Sequence, residues 1–453
     1  MNNRKTKILM VPSDSHGVGH WRNIWPAQSI EEHYDEEFEV EVNLGPNVEN
    51  MSYLKEFDII HFHRALGPYD KQETVFAELK AAGVVLIMDI DDYWQPSSTH
   101  PLYETVKSEK ITEKILQTMK IADYITCTTT IFADHIKKHN PNVHIIPNAI
   151  DLQHPMWKSE SVPNESGKCR ISWIGGSSHM NDLVLLTHSM NQLYNNHDLE
   201  GKFQFIMCGF DTRGSITEVS RDANGNEVRN VRPILPHETI WCRFEEIFTN
   251  KYSYLQKEDP EYLKWLLKIK KEDYEGQYDK SYVRRWTLPL TQYGKHYDYC
   301  DVTLAPIQEV DRVKFLKGGE IVNENDPRPG TVQSIPNYFN LVKSELKIVE
   351  AGMKKKCIIA QDFGIYHELI KDGVNGILVK DNKDGWYKAM KKVIQDKEYR
   401  ETLANNLHEW VKKTYEMEIV TAQRIQFYKD LVDSKKSQRE LYFQSNTVIT
   451  QNV

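Results

Sequence analysis

The chain reads as an α/β protein built from two doubly wound, Rossmann-like domains facing a cleft, with an inserted hairpin and helical segment in the second. Three observations predict this. Short apolar runs alternate with helical periodicities over the first 150 residues. The same opening, a strand running into a Gly-containing turn and a helix, restarts at Arg170. The length of 453 residues exceeds what one ordinary core accommodates.

In the first domain, Lys7 to Val11 is an apolar run read as a buried parallel strand. The turn Pro12 to Arg22 follows, then a helix from Ile24 to His33. Gly17 and Gly19 in that turn permit close backbone approach to a ligand, or simply a tight strand-to-helix connection. Phe38 to Leu44, Asp58 to His63, Val84 to Met88, Tyr124 to Thr128 and His144 to Pro147 are strand-like. Lys71 to Ala82, Ile111 to Ile121 and Thr130 to His139 are helical. This gives a domain over 1–151 and a Pro-, Ser- and Asn-rich linker over 152–168.

The second domain, 169–415, opens with the strand Arg170 to Ile174, the loop Gly175-Gly-Ser-Ser-His179, a helix from about Asn181 to Tyr194 and the strand Phe203 to Met207. Alternation breaks over 211–286. Ser215 to Val219 and Glu227 to Pro233 flank Asp222-Ala-Asn-Gly-Asn226 and predict a hairpin. The aromatics that follow, among them Trp241, Phe244, Phe248, Tyr262, Trp265 and Tyr274, read as the insertion's own small core or as a grip on a sugar polymer or stacked bases. Asp301 to Pro306 restores a strand, and the charged stretch Gln308 to Pro336 reads as a long loop, a lid or plain surface. A helix near Tyr366 to Lys371, the strand Ile377 to Val379 and helices over Lys383 to Gln395 and Glu398 to Leu431 complete the order. The last is broken between Tyr415 and Ile419. Residues 416–453 form a terminal helix and tail expected to fray from Ser434 and to pack back on the first domain.

Composition bounds the chemistry. Hydrophobic content of 40% and charged content of 27% describe a globular chain, and a net charge of −8 argues against indiscriminate nucleic-acid binding. No run approaches 18 apolar residues, and no signal-peptide core follows the N-terminus, so a cytoplasmic protein without a transmembrane segment is expected. The six cysteines have no ligand spacing and read as reduced, buried thiols.

The stretch Asn337 to Ala360 carries the chemistry. Leu346, Ile348, Val349 and Met353 share one side at helical spacing, with Lys343, Lys347 and Glu350 facing elsewhere, and Cys357 to Ala360 reads as a buried strand. A helix beginning near Ser344 would aim free N–H groups at an anion beside Lys343 and Lys347. Glu350, further along it, can accept both hydroxyls of a ribose. The alternative is a solvated Lys/Glu face. Asp89, Asp91 and Asp92 are weighed as a metal site, but Asp91 and Asp92 would point to opposite faces of a strand. Of His61 and His63, one is expected in the core and one near substrate.

Four motifs in order, Ile146-Pro-Asn-Ala-Ile-Asp151, Asp301-Val-Thr-Leu-Ala-Pro306, Phe339-Asn-x-x-Lys-Ser-x-Leu-Lys-x-x-Glu350 and Asp372-Gly-Val-Asn-Gly-Ile-Leu-Val379, resemble the family 4 retaining glycosyltransferases. That resemblance implies the GT-B fold and transfer of a sugar from a UDP- or GDP-sugar to a hydroxyl with retention, without a metal. It implies a nucleotide-sugar donor bound by Gly17, Gly19, Gly175, Gly176, Ser177, Lys343, Ser344, Lys347 and Glu350. Asp91, Lys343 and Lys347 would act in catalysis, and Arg22, His63, Asp91 and Asp92 would receive a glycan or glycoconjugate acceptor. The chain departs from the family in three places. Val342 stands where the first glutamate of E-x7-E is expected, Gly175 to His179 lacks the Arg and Lys that neutralise the diphosphate, and Asp91 sits where many members have a histidine near the reacting sugar. Two alternatives stand beside this reading. One is a hydroxylated DNA base as acceptor, served by Arg284, Arg285, Lys268, Lys270 and Lys271. The other is a non-catalytic nucleotide- or glycan-binding relative.

Overall fold

The computed structural model describes residues 4–211, 213–221, 226–235, 238–249, 281–380 and 383–451. Two compact units divide the chain: Met1–Leu152 with Glu309–Glu350 and Trp410–Val453, and Gln153–Gln308 with Ala351–Glu409.

The first unit is built on a six-stranded parallel sheet. Its strands are β1 (Thr6–Val11), β2 (Phe38–Val42), β3 (Ile59–His63), β4 (Val85–Asp89), β5 (Tyr124–Cys127) and β6 (Val143–Ile145), in the order β2-β1-β3-β4-β5-β6. Alternate residues of each strand supply opposite faces. Leu9, Ile60, Phe62, Leu86 and Met88 pack with Val75, Phe76, Leu79, Ile115 and Met119 of the helices Gln72–Ala81 and Ile111–Ile121. Ile8, Met10, Ile59, Val85 and Ile87 pack with Ile30 and with Met417, Val420, Ile425, Tyr428 and Leu431 of the terminal helix Met417–Gln451. That helix does not fray at Ser434. Arg439, buried against the first unit, donates to Asp58 and to the carbonyls of Lys55, Phe57 and Ala82.

The second unit carries β7 (Cys169–Ile174), β8 (Phe203–Phe210), β9 (Ser215–Arg221), β10 (Glu227–Pro233), β11 (Tyr282–Trp286) and β12 (Val302–Ala305). The chain next contributes β13 (Val310–Leu316), β14 (Ile321–Asn323) and β15 (Gly330–Pro336) to the first unit. It returns to the second unit with β16 (Cys357–Gln361) and β17 (Ile377–Val379). The second parallel sheet has the order β11-β8-β7-β12-β16-β17. Its core joins Ile171, Trp173, Phe205 and Ile359 to Met190 and Leu193 of the helix Thr187–Tyr194 and to Met390 and Val393 of the helix Gly385–Gln395.

Three expectations need correction. The stretch read as a loop over 308–336 is a three-stranded antiparallel sheet, order β14-β13-β15, whose Asp311 accepts from the Ser98 amide at 2.9 Å and hydroxyl at 3.1 Å. The segment 211–286 is only partly an insertion. The β9–β10 hairpin forms as expected, although most of its turn, 222–225, lies outside the described residues, as do Tyr262, Trp265, Tyr274, Lys268, Lys270 and Lys271. Trp241, Phe244 and Phe248, however, belong to the unit's main core, and β11 is an edge strand of its main sheet. The expected single helix over 181–194 is two, Met180–Val184 and Thr187–Tyr194. All six cysteines are free and buried. Among the described residues no helix is long and apolar enough to cross a membrane.

Candidate functional site

In the second unit, β7 and β8 end beside one another and open a cavity of 540 Å³. Gly175, Gly176 and Ser177 line it, with Asp211, Arg213 and Trp241. The glycines are there for space. A Cβ on Gly175 would lie 2.6 Å from the Trp173 ring, and Gly209, at φ +100°, has the Gly175 carbonyl 2.8 Å from where its own Cβ would be. Gly176 and Ser177 are exposed, and nothing lies within 4 Å of a Cβ built on Gly176. The loop is tied down behind them, since His179 Nδ1 lies 2.8 Å from Asp182 Oδ2 while Asp182 Oδ1 accepts from the Gln308 amide at 2.7 Å. Arg213 is the cation that sequence reasoning missed. It sits at the cavity, bridged to Asp211 at 2.7 Å, but follows β8 by sequence, remote from the Gly175 loop where a basic residue was sought.

In the first unit, polar groups gather where β1, β3 and β4 end. Asp14 Oδ1 accepts from the amides of His16 at 2.8 Å and Gly19 at 3.2 Å. A Cβ on Gly19 would fall 1.8 Å from the Asp14 carbonyl oxygen, so this glycine closes the turn upon Asp14, while Gly17 is exposed with open space. Next along the chain a widened, π-type turn, His20–Ile24, carries Arg22 inward.

Arg22 is a correction. Expected beside the acceptor, it is 1% exposed and fully engaged: Nε and Nη2 donate to Asp89 at 2.9 and 2.8 Å, and Nη1 to the Ile146 carbonyl at 2.8 Å. Burial disfavours both charges, yet each partner overrides it for the other, so Asp89 stays well below the usual carboxylate range and Arg22 well above its ordinary value. Asp89 also accepts from Thr126 Oγ1 at 2.6 Å, so it is a structural group. His61 is the core histidine, between Tyr428 Oη at 2.6 Å and Thr126 Oγ1 at 2.9 Å, and burial pushes its pKa down to about 3.

The structure does bring His63, Asp91, Asp92 and Lys343 into one cluster. His63 Nε2 lies 2.9 Å from Asp91 Oδ1, and Arg64 lies 3.7 Å from Asp91 and 3.8 Å from Asp92. Burial alone would raise the Asp91 pKa, but the His63 hydrogen bond and the His63 and Arg64 charges hold it below its ordinary value. Burial and the Asp91 charge raise that of Asp92, against the pull of Arg64 and Lys343. Lys343 is half-buried, its ammonium 5.3 Å from the Phe339 ring centroid.

A second missed residue, Glu345, completes the cluster. It is 1% exposed; Oε1 accepts from the Asn148 amide at 2.6 Å, and among the described residues Oε2 has no hydrogen-bond partner. Burial pushes its pKa up to about 7, against the Asn148 amide and the Arg22 charge. The helix expected from Ser344 begins at Leu346 and runs to Met353, so Ser344 and Glu345 precede it. Lys347 is half-buried, and Glu350, expected on the outward face, is 2% exposed. Among the described residues no group of three or more His, Cys, Asp or Glu side chains is placed to hold a metal ion.

Of the residues named for a DNA acceptor, Lys268, Lys270 and Lys271 lie outside the described residues, and the two arginines are engaged within the protein. Arg284 is 1% exposed and bound to Glu245 through two nitrogens, and Arg285 stacks on the Tyr299 ring at 3.1 Å.

Residues 346–410 match the family model described as glycosyl transferases group 1. Among solved structures, sucrose-phosphate synthase from Thermosynechococcus elongatus is similar over 95% of this chain and 100% of its own, with a TM-score of 0.55 at 13% identity. HepE of Anabaena in complex with UDP and glucose is similar over 94% and 100%, with a TM-score of 0.53 at 12% identity. A glycosyltransferase from Rickettsia africae covers 95% and 99% with a TM-score of 0.53 at 13% identity. The chain has the GT-B fold. No curated protein matches this GT-B chain in sequence. The stretch matched by the family model contains Lys347 and Glu350 and runs through β16 and β17 of the second GT-B sheet.

Proposed function

We propose that this GT-B protein is a glycosyltransferase of the retaining, family 4 kind, moving a sugar from a nucleotide-diphosphate donor to an acceptor hydroxyl on a glycan or glycoconjugate. The observation that carries the reading is the glycosyl transferases group 1 match over the segment bearing Lys347 and Glu350. The 540 Å³ cavity with its glycine-lined rim supports it, because a nucleotide needs a concave site and close backbone approach. HepE, of the same fold, binds UDP and glucose, which favours a UDP-sugar over a GDP-sugar.

In this reading the bond between the anomeric carbon and the diphosphate breaks as the acceptor oxygen bonds to that carbon, and the acceptor hydroxyl's proton passes to the departing diphosphate. Negative charge grows on the departing diphosphate, so fixed cations and amides lower the barrier most. Lys343 and Lys347 serve as the cations, the amides of Gly176 and Ser177 approach the phosphates, and Glu350 holds the ribose. Arg213 supplies the positive charge that the Gly175 loop lacks. His63, Asp91 and Asp92 orient the acceptor. Asp91, held ionised by His63, is suited to accept a hydrogen bond from the incoming hydroxyl. No metal is required.

The test is thermal stability and release of nucleoside diphosphate with UDP, GDP and their sugars, on the wild type and Glu350→Gln. At 100 times its dissociation constant the correct nucleotide stabilises by about 2.7 kcal/mol. Glu350→Gln is expected to abolish most of that shift. Absence of any shift with every nucleotide tested, or an unchanged one in Glu350→Gln, overturns the donor assignment. Binding without release from any donor favours the non-catalytic alternative.

A further inference from the structure

At the other end of the second unit's strands from the Gly175 loop lies a cavity of 280 Å³. Asp301 directly precedes β12 and Lys356 directly precedes β16, so the cavity sits at the amino ends of the sheet whose carboxyl ends carry the first site. Lys355, Lys356, Lys397 and Arg400 line it, against the carboxylates of Asp301 and Glu401.

Both carboxylates are already engaged. Asp301 accepts from Arg170 Nη2 and from the Arg170 amide, each at 2.9 Å, and Glu401 pairs with Lys397 at 3.6 Å. Asp298, also near Lys356 in charge terms, is held by Lys354 at 2.6 Å. Lys356 is therefore an anomaly. It is 4% exposed, its ammonium meets the Ser161 hydroxyl at 2.6 Å, and among the described residues no carboxylate lies within 4 Å of it. Arg400 is 7% exposed and spends Nη1 on the Val393 carbonyl at 3.0 Å, likewise without a carboxylate partner. Burial depresses the Lys356 pKa, and the more distant charges of Asp301 and Asp298 do not offset it. Two buried cations in one cavity, neither ion-paired among the described residues, are costly unless a further anion joins them. The helix that begins at Lys397, 19 residues long, adds the partial positive charge of its first turn. Lys355, exposed and in the left-handed region at φ +51°, stands at the rim.

We propose that this cavity binds a phosphate group, either inorganic phosphate or the phosphoryl group of a small metabolite, at a site separate from the nucleotide cavity. A tetrahedral dianion offers acceptors in several directions, which suits the spare N–H groups of Lys356 and the fork of Arg400.

The experiment measures melting temperature and calorimetric binding with sodium phosphate against sodium chloride at equal ionic strength. It uses the wild type, Lys356→Met, Arg400→Gln, Lys355→Ala and, for the other cavity, Arg213→Ala. Phosphate is expected to raise the melting temperature saturably beyond chloride. Lys356→Met should weaken binding at least tenfold without lowering the melting temperature in phosphate-free buffer, and Arg213→Ala should bind as the wild type does. A hexose phosphate arm separates the sources: tighter binding than phosphate assigns a metabolite, weaker binding the free ion. No saturable phosphate effect, unchanged affinity in Lys356→Met, or loss in Arg213→Ala each overturns the proposal. If neither buried variant folds, Lys355→Ala still decides, with at least threefold weaker binding expected and wild-type affinity refuting the site.

Discussion

Glu345 shows how one residue sets a pH response. Its ordinary value is 4.5 and its folded value about 7, raised chiefly by burial. Between those values the folded chain holds this proton more tightly than the unfolded chain does. Its contribution to stability is therefore complete below pH 4.5 and is lost as pH rises through 7, on the order of 3 kcal/mol in all. Glu345→Gln keeps an acceptor for the Asn148 amide and cannot ionise. Denaturant midpoints measured from pH 5 to 8 are expected to fall with pH in the wild type and to fall less in Glu345→Gln; equal slopes would refute this. Nothing in the sequence marks Glu345 as buried, since it sits among Lys343, Ser344 and Lys347. Arg22 misleads in the opposite sense. It stands in a glycine-bearing turn that suggests a ligand, and its true partner Asp89 lies 67 residues away. The meeting of His63 with Asp91 was legible because His63 closes β3 and Asp91 lies two residues past the end of β4, its parallel neighbour.

At the scale of elements, the apolar runs were readable and the polar strands were not. The helix Ile111–Ile121 and the strand Ile377–Val379 coincide with their sequence patterns. The sheet of β13 to β15 was missed because its strands carry no continuous apolar run. β15 is almost wholly exposed, and β13 turns a carboxylate, Asp311, inward where a strand pattern calls for an apolar group. That carboxylate is the element's anchor. Asp311→Ala removes the acceptor of two Ser98 donors, and each buried donor left unpaired costs about 1–3 kcal/mol. Faster hydrogen exchange at the Ser98 amide and a lower denaturation midpoint are expected. Unchanged exchange at Ser98 would show that the anchor is elsewhere.

For the whole molecule, the terminal helix is a structural member of the first unit. Arg439, 7% exposed, meets Asp58 at 3.1 Å and three carbonyl oxygens at 2.6 to 2.9 Å. Arg439→Ala leaves Asp58 and those carbonyls short of donors, and breaking a buried pair this way costs about 3–5 kcal/mol. A urea midpoint lowered accordingly, with the slope unchanged, is the expected result; a loss under 1 kcal/mol would mean the helix holds by its apolar face alone. That face covers Ile8, Met10, Ile59 and Ile87, which lie at the start of the chain. On the ribosome, Met417 is added about 330 residues after Ile87, so at roughly 5–20 residues per second one side of the first sheet waits about 15–65 s for its cover. Through that interval a nascent chain presents sticky β-surface to its neighbours, and its yield in the cell depends on what shelters it until synthesis is finished.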